Sequence, residues 1–287
     1  MKDFTETYFL HDENIDESGY LWQYMSFHKF LSFLKNEKLY LARLDQFEDQ
    51  MEGIRSYHLG MLNLKKQLDV LDELKGGLTK HITIENLPSQ VDKIDEEISI
   101  IQRFNFANCW FYEPDGNVES VAMWNLYSSP NGVAIRIKYE DFKNRLLEFG
   151  VQLDRGAEKI ILSRVIYSNF QNPASVKESE RDSFDSIFVK DECFKHESEF
   201  RIIAIQKPSK IPEIQHKKGI SKRTMTKLHN DRFNYLGINM FLKNFKDYPF
   251  EIIFHPKSDD WAVDDLEDLI SKYTPEFKTR RSRLKLT

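Results

Sequence analysis

The chain has 287 residues, with 41 Lys and Arg against 46 Asp and Glu and a formal net charge of -5. Its 40% hydrophobic and 13% aromatic content is enough to build a core and excludes extended disorder. Two cysteines exclude a disulfide framework and a four-cysteine zinc site, and no apolar run approaches the roughly 20 residues that cross a bilayer.

Residues 1–18 carry six acids against Lys2 and predict a solvated acidic segment. They contain no apolar h-region, so a secretory signal is not expected and a reducing, cytoplasmic location is. Leu21–Met25 predicts a strand. Ser26 is a good N-cap for a helix whose apolar residues are Phe27, Phe30, Leu31 and Leu34, with Asn36 as its stop. Leu39–Leu41 predicts another strand, followed by a polar turn through Asp45 and Asp49. Apolar residues at helical spacing over 54–75 and again from Leu87 to Ile101, separated by Gly76–Gly77, predict an inserted helical hairpin over 54–104.

Phe106–Tyr112 predicts a buried strand, Glu119–Tyr127 a short helix, and Val133–Ile137 a strand rich in β-branched residues. A helix over 140–149 ends at Gly150. Ile160–Tyr167 predicts a strand, 178–192 a helix and Phe200–Ile205 a strand. Lys207–Arg232 holds eight Lys or Arg against two acids and reads as a basic loop. Glu251–His255 predicts a strand and Asp259–Tyr273 a helix, and the tail 278–285 has five basic residues. Helices and strands mix without strict alternation, which predicts one α+β domain over 19–287. Its central sheet is expected to be mixed and largely antiparallel, with flanking helices.

The common phosphate-binding loops and the nucleophile elbow are absent, and no histidine or cysteine spacing supports a metal. Cys109 and Cys193 lie among apolar neighbours and read as structural. Four polar clusters flank strands. Gln23, Tyr24 and Ser26 stand where a strand enters a helix, as a ligand site or an ordinary capping turn. Asp49 and Glu52 lie three apart, suited to helix capping, to binding a cation or to positioning a ligand hydroxyl. Trp124 and Tyr127 form an aromatic pair that walls a pocket or fills the core. Glu197, Glu199 and Arg201 alternate, so all three are expected on one side of the strand. There they would form a site in which the arginine holds one carboxylate, or a surface ion pair.

Taken in order, these clusters resemble a large bacterial family described only as a domain of unknown function. The shared pattern is L-x-x-Y-x-S at Leu21, Tyr24 and Ser26, then F-x-D-x-x-E at Phe47, Asp49 and Glu52. M-W-x-x-Y follows at Met123, Trp124 and Tyr127, G-V-A-I at Gly132–Ile135, and E-x-E-F/Y-R at Glu197, Glu199, Phe200 and Arg201. The resemblance runs from about residue 20 to 270.

A more distant similarity is to ADP-ribosyltransferases, whose catalytic Glu closes an E-x-E or Q-x-E motif at the start of a strand. Gln23 stands where those enzymes carry His or Arg, and Ala107-Asn108-Cys109 is the nearest counterpart of their Ser-Thr-Ser strand. This similarity implies an ADP-ribosyltransferase-like fold and NAD as substrate. It implies that Glu199 stabilises the ribose cation and that Glu197 orients or deprotonates the acceptor. Tyr24 or Tyr127 would stack on nicotinamide, with Gln23, Ser26, Asn108 and Trp124 around it. Arg201 would fix a carboxylate or contact a phosphate. The acceptor would be a macromolecule, nucleic acid or protein, met by the basic 207–232 loop, as in a toxin or phage-defence effector with an antitoxin or regulator. Two other readings remain open. One is a non-catalytic nucleotide- or protein-binding module. The other is a nuclease with Asp49, Glu52, Glu197 and Glu199 around one metal.

Overall fold

A computed structural model describes residues 2–4, 9–11, 15–49, 51–54, 58–60, 62–63, 98–116, 118–172, 185–206 and 235–285. The fold is α+β, with a mixed and largely antiparallel sheet. The strands are β1 (Lys2–Phe4), β2 (Phe9–His11), β3 (Tyr20–Met25), β4 (Lys38–Arg43), β5 (Asn105–Glu113), β6 (Val133–Lys138), β7 (Val151–Leu153), β8 (Lys159–Arg164), β9 (Ile166–Ser168), β10 (Val189–Asp191), β11 (Glu199–Ile205), β12 (Gly237–Leu242), β13 (Glu251–Phe254) and β14 (Lys278–Arg281). The helices with fully described bounds are α1 (Phe27–Asn36), α2 (Val121–Tyr127), α3 (Tyr139–Phe149) and α4 (Asp260–Tyr273), and the described residues 58–60, 62–63 and 98–104 are also helical.

Among the described residues twelve strands form one sheet that branches at β5. One edge of β5 pairs along its length with β11, from Glu199 opposite Phe111 to Ile205 opposite Asn105. Beyond β11 lie β8 and then β2. The other edge of β5 is shared. β3 pairs only at its tip, with Tyr20, Leu21 and Trp22 opposite Glu113, Tyr112 and Phe111. β4 pairs only at the base, with Ala42 and Arg43 opposite Ala107 and Phe106. β3 then continues into β6, β13 and β14, whereas β4 continues into β12, β7 and β1. Between these two wings Asn108–Trp110 has no strand partner on that edge, and a wedge opens there. α1 bridges the wedge, because it joins the end of β3 to the start of β4.

The sequence explains which faces are covered. The apolar stripe of α1 buries Phe30, Phe33 and Leu34, that of α3 Phe142 and Leu146, and that of α4 Val263, Leu266 and Ile270. These pack on the sheet face that carries Leu21, Met25, Phe106, Trp110, Phe200 and Ile202. The opposite face carries Trp22, Tyr24, Ala107 and Ile203, split into smaller clusters. It is covered by α2 and by 3-10 turns rather than long helices, which leaves room for a cleft.

Several expectations change. Residues 2–4 and 9–11 are strands paired with β7 and β8, because three-residue edges gain main-chain partners whatever their flanking acids. In the region expected as a helix over 178–192, the described part consists of a 3-10 turn at Asp185–Phe188 and strand β10, which pairs in parallel with β9. Ser26 occupies the N-cap of α1, but its side chain makes no capping bond. Cys193 is exposed. Most of the expected hairpin (64–97) and the basic loop (207–232) lie outside the described residues.

Gly132 precedes β6 and lies against the end of β3. A β-carbon there would meet the Ser128 hydroxyl and approach the Met25 carbonyl oxygen to 2.5 Å. Backbone cannot yield as a flexible side chain does, so Gly132→Ala should lower stability by about 1–3 kcal/mol in urea denaturation.

Candidate functional site

The cleft occupies the wedge between the two wings and measures about 530 Å³. Its β3 wall presents Gln23 and Tyr24, its β5 wall Asn108 and Cys109, and its far wall Tyr127, Lys190, Glu197 and Glu199. Two side chains replace the missing ladder bonds at the branch. The Gln23 amide donates to the Cys109 carbonyl at 3.3 Å, and the Asn108 amide donates to the Tyr40 carbonyl at 3.0 Å. Asn108 also accepts from the Trp110 indole at 2.6 Å, so its amide fixes the opening of the wedge.

Arg201 lies beneath the cleft and is fully buried. All five of its N–H groups reach protein acceptors. Nε donates to Glu199 Oε1 at 2.8 Å and Nη2 donates to Glu199 Oε2 at 3.0 Å. Nη1 and Nη2 donate in a fork to Glu52 Oε2 and Oε1, both at 2.8 Å, and Nη1 also donates to the Ile187 carbonyl at 2.7 Å. A guanidinium has five donors, so Arg201 has none left for a phosphate. The phosphate-contact expectation for Arg201 is corrected on that ground; it positions carboxylates.

Lys190 joins the inner pair to the cleft. Its Nζ lies 2.6 Å from Glu197 Oε2, 3.4 Å from Glu199 Oε2 and 3.6 Å from Glu52 Oε1. The Tyr127 hydroxyl donates to Glu197 Oε1 at 2.8 Å. Glu197 does not belong to the strand as the alternation expectation had it. It ends the 3-10 helix Glu192–Glu197, and Ser198 then turns through the left-handed region with φ 40°. The Ser198 hydroxyl donates to the Tyr112 carbonyl at 2.7 Å, which anchors this reversal and returns the chain to β11. The two glutamates therefore meet through a turn.

Three carboxylates face two cations in this network, which leaves one excess negative charge beside the cleft when all are ionised. Burial pushes the Glu199 carboxyl up. The charge and hydrogen bonds of Arg201, with the charge of Lys190, outweigh burial and bring it from the ordinary 4.5 down to about 2. Burial dominates at Glu52 and holds its carboxyl above the ordinary range despite Arg201. Burial would lower Lys190, but the charges of Glu199 and Glu52 and the bond to Glu197 raise it, so it stays an ammonium. Burial, then the charge of Glu197, raises the Tyr127 phenol and keeps it protonated. Burial, then the adjacent Glu199, raises the Cys109 thiol and keeps it protonated.

Of the residues expected at the site, Gln23, Tyr24, Asn108, Tyr127, Glu197 and Glu199 line this one cleft. Trp124 does not. It is fully buried behind Tyr24, edge-on at 4.9 Å, and its indole donates to Glu119 at 3.3 Å. Glu119 also accepts from Arg280 and from the Arg283 amide, which ties the C-terminal segment to the start of α2 and so helps place Tyr127. Ser26 is not among the lining residues. Asp49 accepts from the Met51 amide at 2.9 Å, and Glu52 is buried against Arg201. Among the described residues no group of three or more His, Cys, Asp and Glu is placed to hold a metal ion.

Lys190 escaped the sequence reading. Its signal was a single lysine directly after the apolar run Ile187-Phe188-Val189, which a helical pattern over 178–192 treats as a solvated position. Met123 and Phe47 also line the cleft, from α2 and from the turn before Glu52.

Residues 123–202 match the family described as a protein of unknown function, DUF2971. The matched span carries M-W-x-x-Y, G-V-A-I and E-x-E-F-R, and with them Tyr127, Lys190, Glu197, Glu199 and Arg201. The Leu21–Ser26 and Phe47–Glu52 motifs fall outside it. No curated protein and no solved structure matches the chain. Among the described residues no helix is long and apolar enough to cross a membrane.

Removing the guanidinium leaves Glu52 and Glu199 buried with only Lys190 near them. Arg201→Ala should cost about 3–5 kcal/mol in urea denaturation, and Arg201→Lys should fail to restore it because an ammonium cannot form the fork. A carboxylate whose folded value lies below its unfolded value stabilises above the unfolded value and loses that contribution as pH falls. The stability difference between the native chain and Glu199→Gln should therefore be largest above about pH 4.5 and shrink toward pH 2, read as Tm against pH.

Proposed function

We propose that the cleft binds NAD and cleaves its nicotinamide–ribose bond, transferring ADP-ribose to a macromolecular acceptor. The observation that supports this most is the meeting of Gln23, Tyr24, Tyr127, Glu197 and Glu199 around one cleft, although they come from distant parts of the chain. Heterolysis of the glycosidic bond releases neutral nicotinamide and leaves positive charge on the ribose. A fixed, partly desolvated negative charge lowers the energy of that cation more than it lowers that of the ground state. Glu199 supplies such a charge, because Arg201 and Lys190 hold it ionised at neutral pH.

Glu197 stands at the cleft with two protein donors on its two oxygens. A carboxylate has about four lone-pair sites, so it retains capacity for a ribose hydroxyl or for the acceptor's proton. As the acceptor's nucleophilic atom bonds to the ribose carbon, its proton passes to Glu197. Tyr127 and Lys190 keep that carboxylate in place, and Tyr24 and Tyr127 offer aromatic surface to the nicotinamide ring. Gln23, beside the ring site, offers its amide oxygen to the carboxamide. The basic 207–232 sequence would meet the acceptor, nucleic acid or acidic protein, in a toxin or phage-defence effector held in check by an antitoxin or regulator.

One observation favours the second reading, a non-catalytic nucleotide-binding module. Every oxygen of Glu197 and Glu199 already accepts from a protein donor. Nicotinamide release from NAD separates the two. Glu197→Gln retains volume and leaves Arg201 paired, so it should fold and lose nicotinamide release by at least a hundredfold, with Tyr127→Phe showing a smaller loss. Binding of NAD with no release by the native protein would leave the binding module as the answer.

A further inference from the structure

The cleft is charged differently on its two walls. Among the described residues that line it, the acids are Glu197 and Glu199, on the wall made by the turn before β11 and by β11 itself. The wall made by α1 and the start of β4 carries His28, Lys29, Ser32 and Lys38 and, among the described lining residues, no acid. The side chains of Lys29 and Lys38 form no ion pair or hydrogen bond with any described residue, in contrast to that of Lys190, which faces three carboxylates. Two unpaired ammonium groups on one wall of a cavity give a local positive field that is not screened as a flat surface would be. Ser32 lies one turn after Lys29 on the same helix, and its hydroxyl accepts from the Asn36 amide at 3.3 Å. Tyr40, two residues after Lys38, holds a half-exposed ring on the same wall.

We infer that the α1–β4 wall is a subsite for a nucleoside diphosphate, with Lys29 and Lys38 on the diphosphate and the Tyr40 ring under the base. The inference deepens the NAD reading and rests on it for the identity of the whole ligand. It also sets the ligand's direction, with the diphosphate against α1 and β4 and the glycosidic bond against Glu197 and Glu199. An ammonium is a point-charge partner for phosphate and needs no bidentate geometry, which suits two long side chains rising from different elements.

The test is calorimetric titration of the full chain with ADP, adenosine and inorganic pyrophosphate, followed by NAD turnover. ADP and pyrophosphate should compete for one site, and raising salt should weaken both far more than it weakens adenosine. The Lys29→Ala, Lys38→Ala double variant should bind ADP and pyrophosphate at least tenfold more weakly, with an unchanged Tm. Lys35→Ala, on the last turn of α1 and outside the cleft, should bind as the native chain does. Tyr40→Ala should weaken ADP and not pyrophosphate. Equal ADP affinity in the double variant, or no binding of ADP and pyrophosphate to the native chain, overturns the subsite. NAD turnover with an unchanged KM in the double variant also overturns it and leaves the NAD reading standing. Lysine-dependent ADP binding without nicotinamide release upholds the subsite and removes the NAD reading.

Discussion

The site depends on the burial of one guanidinium. Arg201 sits under the cleft with no contact with water, and a bare charge in that position would not be tolerated. Glu52 and Glu199 make it tolerable by filling its donors with carboxylate oxygens, and the Ile187 carbonyl takes the fifth N–H. This pairing requires the turn through Glu52 to lie against β11, and it fixes the rotamer of Glu199. Glu199 then confines Lys190, Lys190 confines Glu197, and Glu197 confines the Tyr127 hydroxyl. The chain of charges runs from the interior to an exposed phenol without a gap, so the geometry of the mouth follows from the pairing at the base.

The second determinant is the branching of the sheet. A strand has two edges, and β5 offers one of them to two different neighbours. Neither neighbour satisfies Asn108–Trp110 with main-chain bonds, and side-chain amides from Gln23 and Asn108 span the opening instead. Main-chain polar groups left near a cavity can be met by a ligand without disturbing the ladder. The helices that cover the opposite face make this arrangement sustainable, since α1, α3 and α4 bury the large apolar surface there. The cleft face is released from most of the work of holding the fold together.

Much of the fold could be read along the chain. The short apolar run Leu21–Met25, the β-branched run Val133–Ile137 and the apolar stripes of α1, α3 and α4 locate elements within one or two residues of where they lie. Local rules misjudge the stretch before β11. Ile187-Phe188-Val189 fits a helical stripe as well as a buried strand, and only pairing with β9 decides between them. Strands of three residues, such as β1 and β7, carry no periodic signal at all. The site divides in the same way. Glu197, Glu199 and Tyr127 stand out as polar groups beside strands, whereas Trp124 shows the same pattern and belongs to the core.

By itself the sequence determined the fold class, the positions of most long elements and the candidate acids, because these follow from periodicity and residue type over short spans. It also set the charges that meet at the site. Which charge meets which was decided only by the tertiary structure. Arg201 reads from E-x-E-F-R as holding a carboxylate or meeting a phosphate, and the choice fell to the first once Glu52, 149 residues away in sequence, closed on it. Lys190 looked like a surface position and became the bridge between two carboxylates. No local pattern encodes such pairings, because their energy arises from removing both partners from water at one point in space.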